Sequence, residues 1–208
     1  MTATPASPPR ERARSARRQA LLETAEQVFA ERGFEGATMA EIATRAGYSA
    51  GNLYNVFESK EALFREVITA SSRLLNEALT ATLAASAPFG EALDRFVDVM
   101  VRFVLEHRAF FALYVRMTEG RDWTAAQLGD EWRRLRDDHN AAIVVRLRRA
   151  MTGREIPKED PEACADLVGG TLYRHLVRWI DLGGREEDLV RSLASVRRLL
   201  HRALGVKR

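Results

Sequence analysis

Residues 47–57 read Gly-Tyr-Ser-Ala-Gly-Asn-Leu-Tyr-Asn-Val-Phe, and the segment "ESKEALF" follows at once (58–64). Two glycines, two tyrosines and two asparagines stand here between two strongly helical stretches. The segment is too short and too polar to be a core helix. Leu53 and Phe57, four residues apart, share one helical face and can anchor it inward. Gly51, Asn52 and Asn55 then face outward, with Tyr54 beside them. Such short hydrogen-bonding side chains suit a surface that touches something.

The preceding residues show what presents this surface. Thr38, with Glu41 three residues on, opens a second helix as a capping box: the hydroxyl accepts from the Glu41 amide while the carboxylate reaches back. Met39, Ile42, Ala43 and Ala46 give that helix an inner face, and Gly47 ends it. Ser49 then caps a third, very short helix. Two short helices joined by a tight turn make a helix-turn-helix. Gly51 permits close approach to base edges, and an asparagine amide can pair with an adenine edge at two points, worth about 1–3 kcal/mol of discrimination. Phosphates favour helix N-termini, which makes Thr38 and Ser49 natural backbone contacts. Lys60 is expected on the adjoining phosphate row.

The other helices follow from apolar spacing and stop signals. A first helix over about 13–32 carries Leu21, Ala25, Val28 and Phe29, with Gly33 as its stop. A fourth runs from Ser59 to about 85 on Phe64, Ile68, Ser71, Leu75 and Leu79. Pro88 opens a fifth. Residues 108–117, RAFFALYVRM, are apolar nearly all round and predict a short, fully buried sixth. A seventh spans about Thr124–Ala150. Asp160 caps an eighth with Pro161 at its first position, which ends at Gly183–Gly184. A ninth bears Leu189, Leu193, Val196, Leu200 and Leu204. No stretch alternates as a strand does, so the fold class is all-α, with nine helices.

With 208 residues the chain can bury a sizeable core. Its net charge is only +3, yet the first eighteen residues hold five arginines against the single acid Glu11. Residues 1–12 read as a disordered basic arm, which either enters a minor groove or is simply solvated. No apolar run reaches the roughly 18 residues of a membrane span, and the N-terminus lacks a signal-peptide core; a cytoplasmic protein is expected. Cys164 is the only cysteine, so no internal disulfide forms.

"TMAEIATRAGYSAGNLYNVFESKEALFREVI" (38–68) resembles the DNA-binding head of the TetR family of transcriptional regulators. The Thr-capped second helix, "IA..AG", "GNLY..F" and "SKEALF" carry the resemblance, which covers about residues 13–70. It implies a head over 13–58 and a larger effector-binding and dimerisation domain over 59–208. It further implies a homodimer, usually a repressor, which leaves a near-palindromic double-stranded operator when a small molecule binds. The implied DNA-facing set is Thr38, Ser49, Ala50, Gly51, Asn52, Tyr54, Asn55 and Lys60. Ala50 and Val56 depart from the family pattern, where a cationic or polar residue and a histidine or tyrosine are common. That shifts weight onto other backbone contacts.

In the larger domain, Gly169 and Gly170 each cost about 0.8–1 kcal/mol in mid-helix relative to alanine, a cost explained if another helix passes close by. Cys164, Ala165, Gly169 and Gly170, with Leu193, Val196 and Leu200 of the ninth helix, are the candidate dimer contacts. The alternative is that both helices pack inside one subunit. Candidate pocket residues are Met100, Phe103, Phe110, Phe111, Tyr114, Met117, Trp132, His139 and Tyr173, although residues of these types are more often plain core than pocket. A pocket so lined favours an apolar or aromatic effector.

The four histidines are 26 to 36 residues apart, and none forms a metal-spaced pair. The lone cysteine has no catalytic signature, and "VGG" and "LGG" lack a phosphate-binding pattern. Neither a catalytic site, a metal nor a cofactor is expected. The rival reading is a DNA-binding protein without a small-molecule effector, acting through partner proteins or DNA organisation.

Overall fold

The computed structural model describes residues 9–84, 86–118 and 128–206. They form α1 (Pro9–Gly36), α2 (Met39–Arg45), α3 (Ala50–Tyr54), α4 (Lys60–Ala84), α5 (Phe89–Glu106), α6 (Arg108–Thr118), α7 (Gly129–Thr152), α8 (Pro161–Asp181) and α9 (Glu186–Ala203). Among the described residues there is no strand, and the protein is all-α. No described helix is long and apolar enough to cross a membrane. The expected start of the seventh helix, residues 124–127, lies outside the described residues, as do residues 1–8 of the expected arm.

α1 begins at Pro9, four residues before the expected start. Proline is pre-set for the first helical turn, and the arginines that follow are good helix formers. The last four residues expected in a disordered arm are therefore helical. Near its other end Gly33 leaves helical geometry at φ 72°, ψ 172°, a conformation that glycine adopts without steric cost.

The chain divides into two compact units, one of residues 1–70 and 109–128, the other of 71–108 and 129–208. In the first, α2 packs on α1 and α3 on α2. Leu21, Ala25, Val28 and Phe29 of α1, Ile42 and Ala43 of α2, Leu53 of α3 and Phe64 and Ile68 of α4 are fully inaccessible. Phe64 meets Phe29 and Phe34 edge-on at centroid distances of 5.0 and 5.1 Å. The first turns of α4 thus belong to this core. Five residues of α6 are buried, but Arg108 and Thr118 are exposed and Ala112, Tyr114 and Arg116 half-buried. The sixth helix is therefore amphipathic rather than buried all round.

In the second unit α7 packs on α8, α8 on α9, and α5 on both α7 and α9. Asp160 caps α8, its Oδ1 accepting from the Glu162 amide at 3.0 Å. α5 has no cap from its own Pro88; Glu155 supplies one, its Oε2 accepting from the Phe89 amide. The same carboxylate faces Arg146, which is 5 % exposed and donates to the Ala87 carbonyl at 2.8 Å. A buried charge is tolerated only when it is paired in this way.

Candidate nucleic-acid interface

The site is built on two caps and one tight turn. Thr38 Oγ1 accepts from the Glu41 amide at 3.1 Å, and Ser49 Oγ accepts from the Asn52 amide at 3.2 Å. The reciprocal half of the expected capping box does not form. Glu41 instead pairs with Arg45 at 2.8 Å and with Arg32 at 3.5 Å, because two guanidiniums outcompete one amide for a carboxylate. Gly47, at φ 77°, turns the chain between α2 and α3. There the Tyr48 amide bonds back to the Ala43 carbonyl at 2.8 Å, a glycine-dependent helix end.

Leu53 and Phe57 are buried, as their spacing requires, and fix the rotation of α3. Gly51, Asn52, Tyr54 and Asn55 are exposed on its other side, with Thr38 and Ser49, while Ala50 is half-buried. A Cβ at Gly51 would approach nothing closer than the Ser49 hydroxyl at 4.0 Å. Packing within the described chain does not require its lack of a side chain. Both N-cap hydroxyls use an oxygen lone pair on an amide, which leaves the hydroxyl proton available as a donor beside amides of partial positive charge.

Lys60 is engaged within the chain. Its Nζ donates to the carbonyls of Phe34 at 2.8 Å, Ala37 at 3.1 Å and Glu35 at 3.5 Å, and lies 4.4 Å from the Phe34 ring centroid. All three donors of the ammonium serve the chain end that leaves α1. Lys60 is a clamp on that end.

Three arginines of α1 that are absent from the expected site border it as well. Arg17 Nη2 donates to the Asn52 carbonyl at 3.3 Å, and its guanidinium lies 4.7 Å from the Tyr48 ring. Arg18 grips Glu66 with two nitrogens, one at 2.7 Å, and sits over Phe57. Arg14 is exposed beside them. The signal was available in the sequence: residues 14, 17 and 18 share the helical phase of Leu21, Ala25 and Val28.

The candidates in the larger part of the chain separate. Phe110, Phe111, Tyr114 and Met117 belong to the first unit; Met100, Phe103, Trp132, His139 and Tyr173 belong to the second. Phe103, Phe110, Phe111, Met117 and Trp132 are buried; Met100, Tyr114, His139 and Tyr173 are half-buried. His139 lies against Phe96 with centroids 6.0 Å apart, and burial lowers its pKa. Within the second unit, Leu83, Phe89, Leu93, Phe96, Ile143 and Arg146 border a gap of only about 10 Å³, space for a single water.

Leu193, Val196 and Leu200 are 5, 6 and 1 % exposed within one subunit. Within the subunit they are core, where the α9 stripe packs on α5 and α8. Ala165 is also buried. Gly169 and Gly170 are exposed, and a Cβ on either would meet nothing within 4 Å, so no described helix of the same subunit explains them. Cys164 is half-buried, its thiol pKa raised by burial and then by Glu159 and Asp160.

A capped helix, a glycine turn and a second short helix with a polar outer face, held on a rigid aromatic core, define a helix-turn-helix DNA-binding protein. Residues 21–67 match the family model of bacterial regulatory proteins, tetR family. The HTH-type transcriptional regulator BetI of Agrobacterium fabrum is 32 % identical over 176 residues, 80 % of each chain. The fold matches the fatty acid degradation regulator FadR of Bacillus halodurans with a TM-score of 0.76 at 17 % identity, over 94 % of this chain and 96 % of that one. It also matches FadR of Bacillus subtilis, solved in complex with stearoyl-CoA, with a TM-score of 0.74 at 20 % identity, over 88 and 96 %. The chain belongs to the tetR family of bacterial transcriptional regulators.

Proposed function

We propose that the protein is a cytoplasmic homodimeric repressor that binds a near-palindromic operator and leaves it when a small apolar or aromatic ligand binds the larger domain. The observation that carries the DNA half is the outer face of α3, where Asn52, Tyr54 and Asn55 are exposed while Leu53 is fully buried. In this reading Thr38, Ser49 and Tyr54 hold phosphates, and Gly51, Asn52 and Asn55 meet base edges. Ala50 adds only close approach.

The dimer half is supported by the exposed glycines of α8. The ligand half is supported by the acyl-CoA bound to the Bacillus subtilis relative and by the aromatic residues of α5–α7. The head at 13–58 and the effector and dimerisation domain at 59–208 are the functional division that goes with it.

Replacing Asn52 by alanine tests the assignment. Affinity for an operator selected from genomic DNA should fall by about 1–3 kcal/mol, with little change for a scrambled duplex. Equal losses on both would contradict a base contact. A second reading is a DNA-binding protein without an effector, acting through partner proteins or DNA organisation. If no acyl-CoA, fatty acid or aromatic compound changes operator affinity, that second reading prevails.

A further inference from the structure

α1 changes character along one face. Val28, Ala25 and Leu21 lie at helical steps on its buried stripe, and the same phase carried toward the N-terminus passes through Arg17, Arg14 and Arg10. Arginine replaces the apolar residues where the core ends, so guanidiniums overhang the flank of the recognition helix. Arg14, Arg17 and Arg18, with Ala13, Asn55 and Val56, line a groove of about 380 Å³.

The charges in this groove are unequal in freedom. Arg18 is neutralised by its two-point grip on Glu66. Arg17 is held by the Asn52 carbonyl and the Tyr48 ring, neither of which carries charge, and its Nε is buried without a hydrogen-bond partner. Arg14 is exposed, and among the described residues it has neither a hydrogen bond nor an ion pair. The groove therefore carries an excess of positive charge, and no carboxylate among the described residues pairs with Arg14 or Arg17.

We infer that this groove seats a backbone phosphate of DNA at the C-terminal end of the recognition helix. The inference rests on reading the chain as a DNA-binding regulator. At about 1.5 Å per residue, α3 with its five residues is roughly 8 Å long. The major groove it would enter is about 12 Å wide, with phosphates on both walls. Ser49 and its capped amides face one wall from the start of α3. The arginine groove, beside Asn55 and Val56 just past the end of α3, faces the other.

Arg14 supplies the free cation for that second wall, and Arg17 ties the seat to the backbone of Asn52. Phosphate contact and base register are thus linked through one side chain. The groove is open and its guanidiniums stand on one wall. A mobile anion would stay hydrated there, whereas a strand already held at Ser49 brings its phosphate without further loss of freedom. The seat also compensates for Ala50, which offers no cation.

The test compares Arg14→Ala with Arg12→Ala, which removes the same charge from the opposite face of the same helix. Both side chains are exposed, so neither change disturbs packing. Affinity for an operator selected from genomic DNA, and for a scrambled duplex, is followed across a salt series. Arg14→Ala should lower the slope of log K against log salt by about 0.9 per bound protomer, weaken both duplexes alike, and be rescued by Arg14→Lys. Arg12→Ala should match the wild type.

Equal effects of the two variants, or no effect of Arg14→Ala, would overturn the seat. Saturable binding of inorganic phosphate that depends on Arg14, with an unchanged DNA slope, would reassign the groove to a free anion and overturn it as well. A wild-type protein that selects no operator would sink the regulator reading itself. That failure is separate, because the slope on scrambled duplex still judges the groove.

Discussion

Lys60 Nζ lies 2.8 Å from the carbonyl oxygen of Phe34, across 26 residues of chain, and joins the first turn of α4 to the end of α1. The link closes the aromatic cluster of Phe29, Phe34 and Phe64 beneath it. Charge-assisted hydrogen bonds are worth about 1.5–3 kcal/mol, and half-exposure places this one at the lower end. Lys60→Met should therefore destabilise the protein by about 1.5 kcal/mol in urea unfolding. The salt slope of DNA binding should not change. A slope reduced by about 0.9 per protomer with unchanged stability would place Lys60 among the phosphate contacts.

Glu155 holds a buried charge and a helix end together. Removing one partner of a buried pair costs about 3–5 kcal/mol, whereas an apolar replacement of the charge itself is often neutral. Glu155→Ala strips Arg146 of its carboxylate and the Phe89 amide of its acceptor; with the Glu155 side chain itself 34 % exposed, the cost should be about 2 kcal/mol. Arg146→Met should cost less, because it leaves no buried charge behind. Chemical denaturation of both variants decides the order, and the reverse order would refute the pairing.

Gly170 offers a clean test of assembly. A Cβ there meets nothing within 4 Å, so Gly170→Leu leaves the subunit's own packing intact and should raise helix propensity. If α8 meets its counterpart in a second copy, the variant should run as a monomer in sedimentation analysis while keeping its helical circular dichroism. An undisturbed dimer would place the interface elsewhere.

How much of this was legible in the sequence depended on how local the cause was. Thr38, Ser49 and Asp160 each cap a helix through an amide two or three residues away, so the second, third and eighth helices could be read from a few letters. Gly47 worked for the same reason. The stripe of Leu193, Val196 and Leu200 showed that α9 buries a face, but an amphipathic pattern does not name what covers it. The contacts of Lys60 were hidden for a similar reason: its partners are more than twenty residues away, and a lysine at a helix start reads equally well as solvent-facing. Arg14 and Arg17 were in phase with the core but looked like part of a charge run, because composition drew more attention than periodicity.

His139 gives the protein an acid sensitivity. Burial lowers its pKa from the usual 6.5, so in the folded state it resists a proton that the unfolded chain accepts. The stabilising difference is complete above about pH 6.5 and is lost as pH falls through the lowered value. His175 acts in the same direction, through burial and then Arg178. His139→Phe, which keeps a ring against Phe96, should flatten the loss of unfolding free energy on going from about pH 7.5 to about 5 without removing it. An unchanged pH profile would show that His139 is protonated as easily in the folded chain as in the unfolded one.

Selection of fragments from the source genome by the purified protein, followed by sequencing, tests the central claim most directly. The face of α3 and the exposed glycines of α8 together predict enrichment of one inverted repeat, two half-sites bound by two copies of the same head. Broad, salt-sensitive recovery of fragments without a shared motif would contradict a dimeric, sequence-specific regulator.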